Sequence, residues 1–538
     1  MSEILLTTVN VSYLHRSLAL RWLLVAAKGE HSVIIKEFTV KQRSEEIVAA
    51  ILETKATTIG IGVYIYNVEI IKEIVRLLKA QRPKLRLLLG GPEISKNASF
   101  WFGFGVEALF IGEAERTFYQ YLAEYPEPIE AKMIVNSPVV DLGFLESLES
   151  PYFVTELNDD YRHQYFYLES SRGCPFTCSY CQAGGQKLRY FSQSYLEKVF
   201  FQLQKMEVKQ IKFLDRSFNV DSDHGKCVIK LCETLNASTI IQFEVVADRL
   251  SEDFMELLLS LNNPQRYRLE VGIQTFNQKS LLAVRRQQDN DLLIRRLRQL
   301  KEAGFTIHAD LIAGLPYDDF ASFKESVDTL YNLKLQEMQI GRLKLLAGSS
   351  LAKEYQSYGL IFAKRAPYQI ETSPWMSATD LARIENAAKA CDKLYNSGKL
   401  LNSLNYLITD LNQSAFTVLE KLGQLLTKLE KTTQLVDLFR AIAGLFDDRQ
   451  LQAYLNKDYY RLFNQRTKRL FPDEISSEQQ SKVLTYLVNT KQATKNEIDN
   501  YGTVCLGPRI KQEDYLVFIV RPQQAHPQLL TVREKDLP

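Results

Sequence analysis

The sequence predicts an α/β protein with a helical tail. A doubly wound parallel sheet is expected over residues 1–125, a connecting segment over 126–160, a partial six-stranded β/α barrel over 161–365 and a mostly α-helical region over 366–538. Three observations predict this. Short apolar runs alternate with helix-period patterns in two separate blocks, which is the signature of parallel sheets covered by helices. A proline-bearing stretch without periodicity divides the blocks. After residue 365 the alternation stops, and leucines recur at helical spacing instead.

In the first block, strands are expected at 4–9, 33–38, 58–63, 85–89 and 108–111, with helices at 17–27, 44–53 and 68–79. Ligands of such sheets lie beyond the carboxyl ends of the strands. The strand ends here are residues 10–15, Tyr64-Ile65-Tyr66-Asn67, Gly90-Gly91-Pro92-Glu93 and Gly112-Glu113-Ala114-Glu115. Glycines at such points let backbone approach a ligand closely, although a plain turn also accounts for any one of them. Pro126, Pro128, Pro138 and Pro151 mark the join.

The second block has strand candidates at 165–169, 210–214, 240–246, 267–273, 306–312 and 337–343, and helical patterns such as 194–205, 291–303 and 320–333. Six units suit a partial barrel rather than a closed barrel of eight. Residues 377–470 read as amphipathic helices carrying Leu404, Leu407, Leu411, Leu419, Leu422, Leu425 and Leu429. The basic, aromatic stretch 457–469 reads as a half-buried solvated helix rather than a nucleic-acid contact. A short mixed β segment is expected over 502–534, with 515–520 its clearest strand.

Composition narrows the function. With 66 basic and 64 acidic residues among 538, the net charge of +2 argues against a large nucleic-acid footprint. No apolar run approaches the ~20 residues that span a bilayer. The N-terminus shows no basic region followed by an apolar stretch, so a cytoplasmic protein is expected. Seven cysteines, three of them clustered, suit a reducing compartment. Cys227, Cys232, Cys391 and Cys505 are scattered and read as ordinary buried thiols.

The clustered three carry the chemistry. Cys174, Cys178 and Cys181 stand at C-x3-C-x2-C spacing. Three thiolates this close can hold three irons of a cubane and leave the fourth iron without a protein ligand. A structural zinc site would need a fourth ligand nearby, and the nearest downstream candidates are His224 and Cys227. A disulfide would leave one thiol over. The spacing therefore points to an iron–sulfur site with an open position.

With Tyr180 just before the third cysteine and a predicted strand just upstream, the run resembles the radical S-adenosylmethionine enzymes. The resemblance implies that the open iron is chelated by the amino and carboxylate groups of S-adenosylmethionine. One electron from the cluster then cleaves the sulfonium to a 5′-deoxyadenosyl radical. Tyr180 would pack near the adenine. Where the family often carries Gly-Gly-Glu, this chain reads Phe213-Leu214-Asp215, so Asp215 is the expected substitute on the cofactor's amino group. Glu244 and Arg249 would reach its ribose or carboxylate. Glu270-Val271-Gly272-Ile273-Gln274-Thr275 resembles the family's Gly-Ile-Gln segment, which adds Gln274 to the cofactor contacts, and Gly314-Leu315-Pro316 resembles its Gly-Leu-Pro turn. A rim salt bridge is the alternative for each single residue.

The upstream sheet resembles the cobalamin-binding domain of the cobalamin-dependent members. The resemblance implies cobalamin contacts from Tyr64, Gly90, Gly91, Glu93, Gly112 and Glu113. His15 belongs to the same loop cluster. Cobalamin proteins that ligate cobalt through histidine carry Asp-x-His-x-x-Gly, whereas residues 13–18 read Tyr-Leu-His-Arg-Ser-Leu. His15 is therefore either a cobalt ligand or a polar loop contact. No cysteine precedes Cys174, which argues against a methylthiotransferase. The whole order resembles an uncharacterised subgroup with a C-terminal domain of unknown role.

The expected cofactors are a [4Fe–4S] cluster, S-adenosylmethionine and cobalamin. The expected activity is methyl transfer to an unactivated carbon of a small molecule. Alternatives are a radical rearrangement or cyclisation with cobalamin as electron carrier, and tRNA modification. A pure cobalamin carrier would have no use for the open cluster. An electron donor such as flavodoxin or ferredoxin is the expected protein partner, and no membrane is expected. No catalytic residue beyond the cofactor contacts is assigned.

Overall fold

The computed structural model describes residues 3–27, 31–153, 163–430, 432–446, 448–462, 470, 476–495, 504–506, 514–519 and 528–538. The chain divides into two compact units: Met1–Asp319 with Arg342–Ser377, and Phe320–Gly341 with Ala378–Pro538.

The first unit begins with β1 (Glu3–Asn10), α1 (Leu18–Ala27), β2 (Ser32–Thr39), α2 (Ser44–Leu52), β3 (Thr58–Gly62), α3 (Val68–Gln81), β4 (Arg86–Gly90), α4 (Ala98–Gly103), β5 (Ala108–Ile111), α5 (Glu115–Glu124), β6 (Met133–Asn136) and α6 (Leu142–Ser147). Six strands form one parallel sheet in the order β2-β1-β3-β4-β5-β6. Its direction of growth reverses between β1 and β3, and the crevice outside their carboxyl ends is where such a sheet binds a ligand. Helices cover both faces. From Ile4 to Asn10, β1 is buried throughout, as expected of a strand with two covered sides. The helix α3 turns Ile71, Ile74, Val75 and Leu78 into one core; Leu20, Leu88, Phe110 and Phe118 build the other. Strand β6 and helix α6 lie within residues expected only to connect. Four residues among prolines are too short to show a pattern, but β5 offers an open edge to pair with.

The same unit continues with β7 (Phe166–Leu168), β8 (Ser171–Cys174), β9 (Gln186–Tyr190), α7 (Gln193–Lys205), β10 (Gln210–Phe213), α8 (Ser222–Glu233), β11 (Ile240–Val245), α9 (Glu252–Leu259), β12 (Tyr267–Gln274), α10 (Gln278–Ala283), α11 (Asn290–Glu302) and β13 (Thr306–Ala313). Strands β7, β10, β11, β12 and β13 pair in parallel, in that order. Every second residue of β12 and β13 is buried. Leu269, Val271 and Ile273 pack outward under the helices. Arg268, Glu270 and Gln274, with His308 and Asp310 across the register, form the other, polar face. Strand β7 stops at Leu168, short of the expected Glu169, because the chain leaves the sheet for the separate antiparallel hairpin β8–β9.

Beyond β13 come α12 (Phe320–Asn332) and the expected sixth strand, β14 (Glu337–Arg342). The first unit closes with α13 (Leu351–Glu354) and the hairpin β15 (Ile361–Phe362) and β16 (Ile370–Thr372).

The second unit is helical: α14 (Ala378–Ala390), α15 (Leu401–Asn405), α16 (Ala415–Lys428), α17 (Leu435–Phe446), α18 (Arg449–Leu462) and α19 (Ser477–Asn489), then an antiparallel sheet of β17 (Val504–Leu506), β18 (Asp514–Ile519) and β19 (Gln528–Arg533). Leu404, Leu407, Leu419 and Leu422 are buried as their spacing predicts. Leu411 is exposed, because it follows the π-helical stretch Tyr406–Asp410 that shifts the face. Asp458 of α18 is buried and accepts from the Asn402 and Ser403 backbone N–H groups. Of the stretch 457–469, residues 463–469 lie outside the described residues, as does residue 520. Among the described residues no helix is long and apolar enough to cross a membrane.

Candidate functional site

The three cysteines share one hairpin. Gly173 makes its entry possible: φ is +99°, and a Cβ there would collide with the Lys187 carbonyl. Inside the loop, the Cys181 N–H donates to the Cys178 carbonyl (3.1 Å) and the Gly185 N–H to the Phe176 carbonyl (2.7 Å). Ser179 is clamped from outside. Its N–H donates to the Val284 carbonyl (2.9 Å) and its carbonyl accepts from the Leu351 N–H (2.7 Å). All three thiols are free, and Cys174 and Cys178 are buried. Burial pushes the Cys174 thiol up, against the Phe176 N–H and the Ser217 hydroxyl. Iron would take these groups as thiolates. Among the described residues, no three His, Cys, Asp or Glu side chains are placed to hold a single metal ion. A cubane asks for a different arrangement, one thiolate on each of three irons, and three thiols along one loop supply it.

Arg286 carries no local signal in the sequence, where it stands beside a second arginine, Arg285. Its Nη1 lies 4.0 Å from Cys178 Sγ and 3.4 Å from the Tyr180 hydroxyl, and its Nη2 donates to the Gly272 carbonyl. A guanidinium there offsets negative charge on the thiolates or on a bound carboxylate. Tyr180 is thus tied to Arg286, and burial pushes its phenol well above the usual range.

Asp215 is fully buried and accepts from the Ser170 N–H (3.0 Å), the Ser170 hydroxyl (2.6 Å) and the Ser171 hydroxyl (2.6 Å). Burial pushes it up to about 6, with the serines pulling the other way. Its bonds land just ahead of Cys174, so it anchors the cysteine hairpin. Gln274 sits at a bulge in β12 with φ +70°, and its Oε1 is buried without a partner among the described residues. Bulges re-aim side chains beside active sites, and an orphaned acceptor suits a hydroxyl or amine of S-adenosylmethionine. Arg249 lies in the turn after β11, exposed, 3.4 Å from Gln287 Oε1 and 3.9 Å from Asp248 Oδ2.

Glu244, at the end of β11, pairs with Arg216 (3.2 Å). Burial pushes its carboxyl up to about 7; Arg216 opposes this, and Glu270, Asp310 and Asp215 add to it. The sign of the pH effect follows. The unfolded chain ionises near its ordinary value of 4.5, so stability falls as pH rises from there to about 7 and stays lower above. Glu244→Gln lacks this loss. In thermal melts its advantage over the wild type should grow across that window and then level off; an advantage that is constant with pH would contradict the assignment.

A cavity of about 720 Å³ opens between the carboxyl ends of the first sheet and the cysteine hairpin. From the sheet it is lined by His15, Tyr64, Gly90, Gly91, Gly112 and Glu113, and from the other side by Tyr167, Glu169, Arg172, Gly173 and Arg216. Apolar side chains of the first sheet and its helices, Leu20, Leu23, Leu88, Phe110 and Phe118, also line it. Gly60 and Gly62 of β3 lie in this wall, and Gly62 pairs with Gly90 of β4. The result is a strip of bare backbone beside apolar side chains, which suits a flat heterocycle. The sequence held the signal, since glycine inside a strand marks close approach. Gly91 is held at φ +108°, and a Cβ there would strike the Val63 carbonyl. Gly90, Gly91 and Pro92 line the cavity and Glu93, the next residue, does not. Glu93 is buried, and burial pushes its carboxyl up against the pull of Lys96 and Tyr368. Glu93 stands behind the residues that line the cavity, and its Oε2 is buried without a partner among the described residues.

His15 bonds the Tyr167 hydroxyl through Nδ1 (2.6 Å), and burial and Lys212 hold its pKa below the usual value. That bond is the polar loop contact of the two alternatives; a cobalt bond would have to use Nε2. Around the rim, ion pairs join hairpin to sheet. Arg172 holds Glu115 (2.7 Å) and Glu169 (2.9 Å), and Arg189 pairs with Glu113. Burial alone would raise the Glu113 carboxyl; Arg189, the Val140 N–H and Arg172 hold it below the usual range. The second oxygen of Glu115, Oε2, is buried on the cavity wall without a partner among the described residues. It suits an amide N–H, of which the cobalamin rim has several.

Known proteins share this architecture. Residues 4–122 match the B12 binding domain, 168–330 the Radical SAM superfamily and 356–519 a protein family of unknown function, DUF4080. The cobalamin-dependent radical SAM methyltransferase TokK of Streptomyces tokunonensis is 21% identical over 56% of this chain and 49% of its own. The chain spans less than half the length of the curated relatives it matches. Among solved structures, the radical S-adenosylmethionine methyltransferase TsrM from Kitasatospora setae, with cobalamin and a [4Fe-4S] cluster bound, superposes with a TM-score of 0.53 at 14% identity, covering 68% of this chain and 76% of its own. The cobalamin-dependent S-adenosylmethionine radical enzyme OxsB superposes with a TM-score of 0.54 at 14% identity, over 93% and 77%. The fold and the matched domains together identify the chain as a cobalamin-binding radical S-adenosylmethionine protein of the subgroup with the DUF4080 C-terminal domain, whose cofactors are a [4Fe–4S] cluster, S-adenosylmethionine and cobalamin.

Proposed function

We propose that the chain is a methyltransferase acting on an unactivated carbon of a small molecule, in a reducing, cytoplasmic setting. The observation that carries this reading is the shared cavity: the strand-end loops of the first sheet form one wall, and the flanks of the cysteine hairpin, Arg172 and Gly173 on one side and Ala183 and Gln186 on the other, form part of the second. Methyl transfer needs a radical initiator and a methyl source to face one substrate, whereas a carrier has no need of a second wall. TokK and TsrM, by their names, are methyltransferases.

When bound, the cofactors supply a hydrogen-abstracting radical and a transferable methyl group. The chain supplies placement. Cys174, Cys178 and Cys181 hold the irons, and Asp215 fixes the hairpin that carries them. Gln274 accepts from S-adenosylmethionine, and Tyr180 with Arg286 flanks it. Gly60, Gly62 and Gly90 leave room for the corrinoid, and Glu115 holds an amide on its rim. Arg172 and Arg189 lock the two walls together and keep water from the seam.

The test is the reconstituted full chain with methyl-labelled S-adenosylmethionine, a reductant and candidate small molecules. Label in a product, with both 5′-deoxyadenosine and S-adenosylhomocysteine formed, is expected. Deoxyadenosine without S-adenosylhomocysteine or labelled product would replace this reading with a radical rearrangement.

A further inference from the structure

We infer that the surface built by α10, α13 and the Arg249 turn is the docking face for an acidic one-electron carrier protein of the flavodoxin type. The inference rests on the assignment of the cluster to the cysteine hairpin.

Two observations place the face. Ser179, between the second and third cysteines, is clamped by the Val284 carbonyl at the end of α10 (2.9 Å) and by the Leu351 N–H at the start of α13 (2.7 Å). One hydrogen bond and one peptide unit therefore connect this surface to Cys178. Electron tunnelling decays steeply with distance, so an entry point must lie this near the irons. The second observation is what the surface displays. Leu282 on α10 is 76% exposed, more than any other large apolar side chain among the described residues. Two exposed lysines stand on the same elements, Lys279 on α10 and Lys353 on α13, while Arg285 is paired with Glu354 and Arg249 with Asp248 (3.9 Å). The acids on this face are engaged, Glu354 by Arg285 and Asp289 as the N-cap of α11. The chain as a whole is nearly neutral, so this positive charge is local.

An exposed apolar contact inside a positive rim fits an acidic carrier whose own redox group lies at its surface. The positive rim steers encounter, and the apolar centre holds it. The exchange moves one electron: the carrier's flavin hydroquinone becomes the semiquinone, and the oxidised cluster gains that electron. No bond to the protein forms or breaks.

The test uses full-length chain with reconstituted cluster and reduced flavodoxin as the probe. Bleaching of the cluster's visible absorbance is followed by stopped flow, with titanium(III) citrate as a small-molecule reductant in parallel. Leu282→Asp with Lys353→Glu should slow reduction by flavodoxin about tenfold at low salt, the size expected when rim charge is reversed. The difference should shrink at high salt. Reduction by titanium(III) citrate should be unchanged, and the exposed Lys41→Glu control should behave as wild type. Equal flavodoxin rates in variant and wild type would overturn the docking face, as would equal slowing with titanium(III) citrate. Wild-type protein that retains no iron would instead overturn the cluster assignment.

Discussion

A Cys178→Ala chain is expected to lose its iron and sulfide and to keep its corrinoid. Cys178 is one of three thiols on a single loop, and each must bind its own iron. Removing one leaves two irons of the cubane without a protein ligand, and two thiolates do not hold a cluster that is also open to solvent ligands. The corrinoid wall is built elsewhere. Gly60, Gly62, Gly90 and Gly91 belong to the first sheet, whose core is separate from the hairpin. Corrinoid affinity, measured by spectral titration after anaerobic purification, should stay within about a factor of three of wild type, because Cys178 itself does not line the cavity. Cleavage of S-adenosylmethionine should fall to background. Loss of corrinoid together with iron would show that the two walls form as one cooperative unit rather than as separable sites.

Gly90→Leu should give the opposite result: iron and sulfide retained, corrinoid lost. Gly90 lines the cavity, and a Cβ there meets only the Phe110 carbonyl oxygen and Cβ, at 3.9 and 4.0 Å. Its φ is not positive, so the backbone accepts a side chain without strain. The added leucine then projects over the bare strip where the heterocycle would lie. Overpacking of a fitted site costs about 1–3 kcal/mol, and the upper end corresponds to roughly a hundredfold in affinity. Gly91→Leu is the poorer experiment, because φ +108° and the Val63 carbonyl make it a folding mutation. A Gly90→Leu chain with wild-type corrinoid affinity would remove the strip from the cofactor site.

The two variants separate residues the sequence made legible from residues it hid. The cysteine spacing is local information: a loop of eight residues, from Cys174 to Cys181, fixes which thiols can reach one cluster whatever surrounds it. The strand-end glycines were legible for a similar reason, since the alternating pattern shows where each strand stops. Gly60 and Gly62 were less so, because their meaning depends on Gly90 lying beside them in the next strand. Arg286 was illegible. Nothing near it in the chain distinguishes it from Arg285, yet one guanidinium meets Cys178 and the other Glu354. Asp215 and Glu93 were legible as strand-end residues, but their packing partners were not. Both stand at a strand end where a ligand contact is expected. Long-range neighbours set the contacts of Asp215, through Ser170 and Ser171. For Glu93 the deciding neighbours are Lys96, one turn on, and Tyr368, far along the chain.

By itself the sequence determined the order of the matched domains, the two parallel sheets and the helical tail, and it singled out the three cysteines expected to hold the cluster. Each rests on periodicity or spacing within a few tens of residues, where chain connectivity limits the possibilities. The tertiary structure alone decided that the first sheet and the cysteine hairpin face one cavity, that Arg172 and Arg189 fasten them together, and that Arg249 belongs to the surface. Those facts come from groups far apart in the chain, and only packing brings their charges within a few ångströms, where electrostatics and desolvation act.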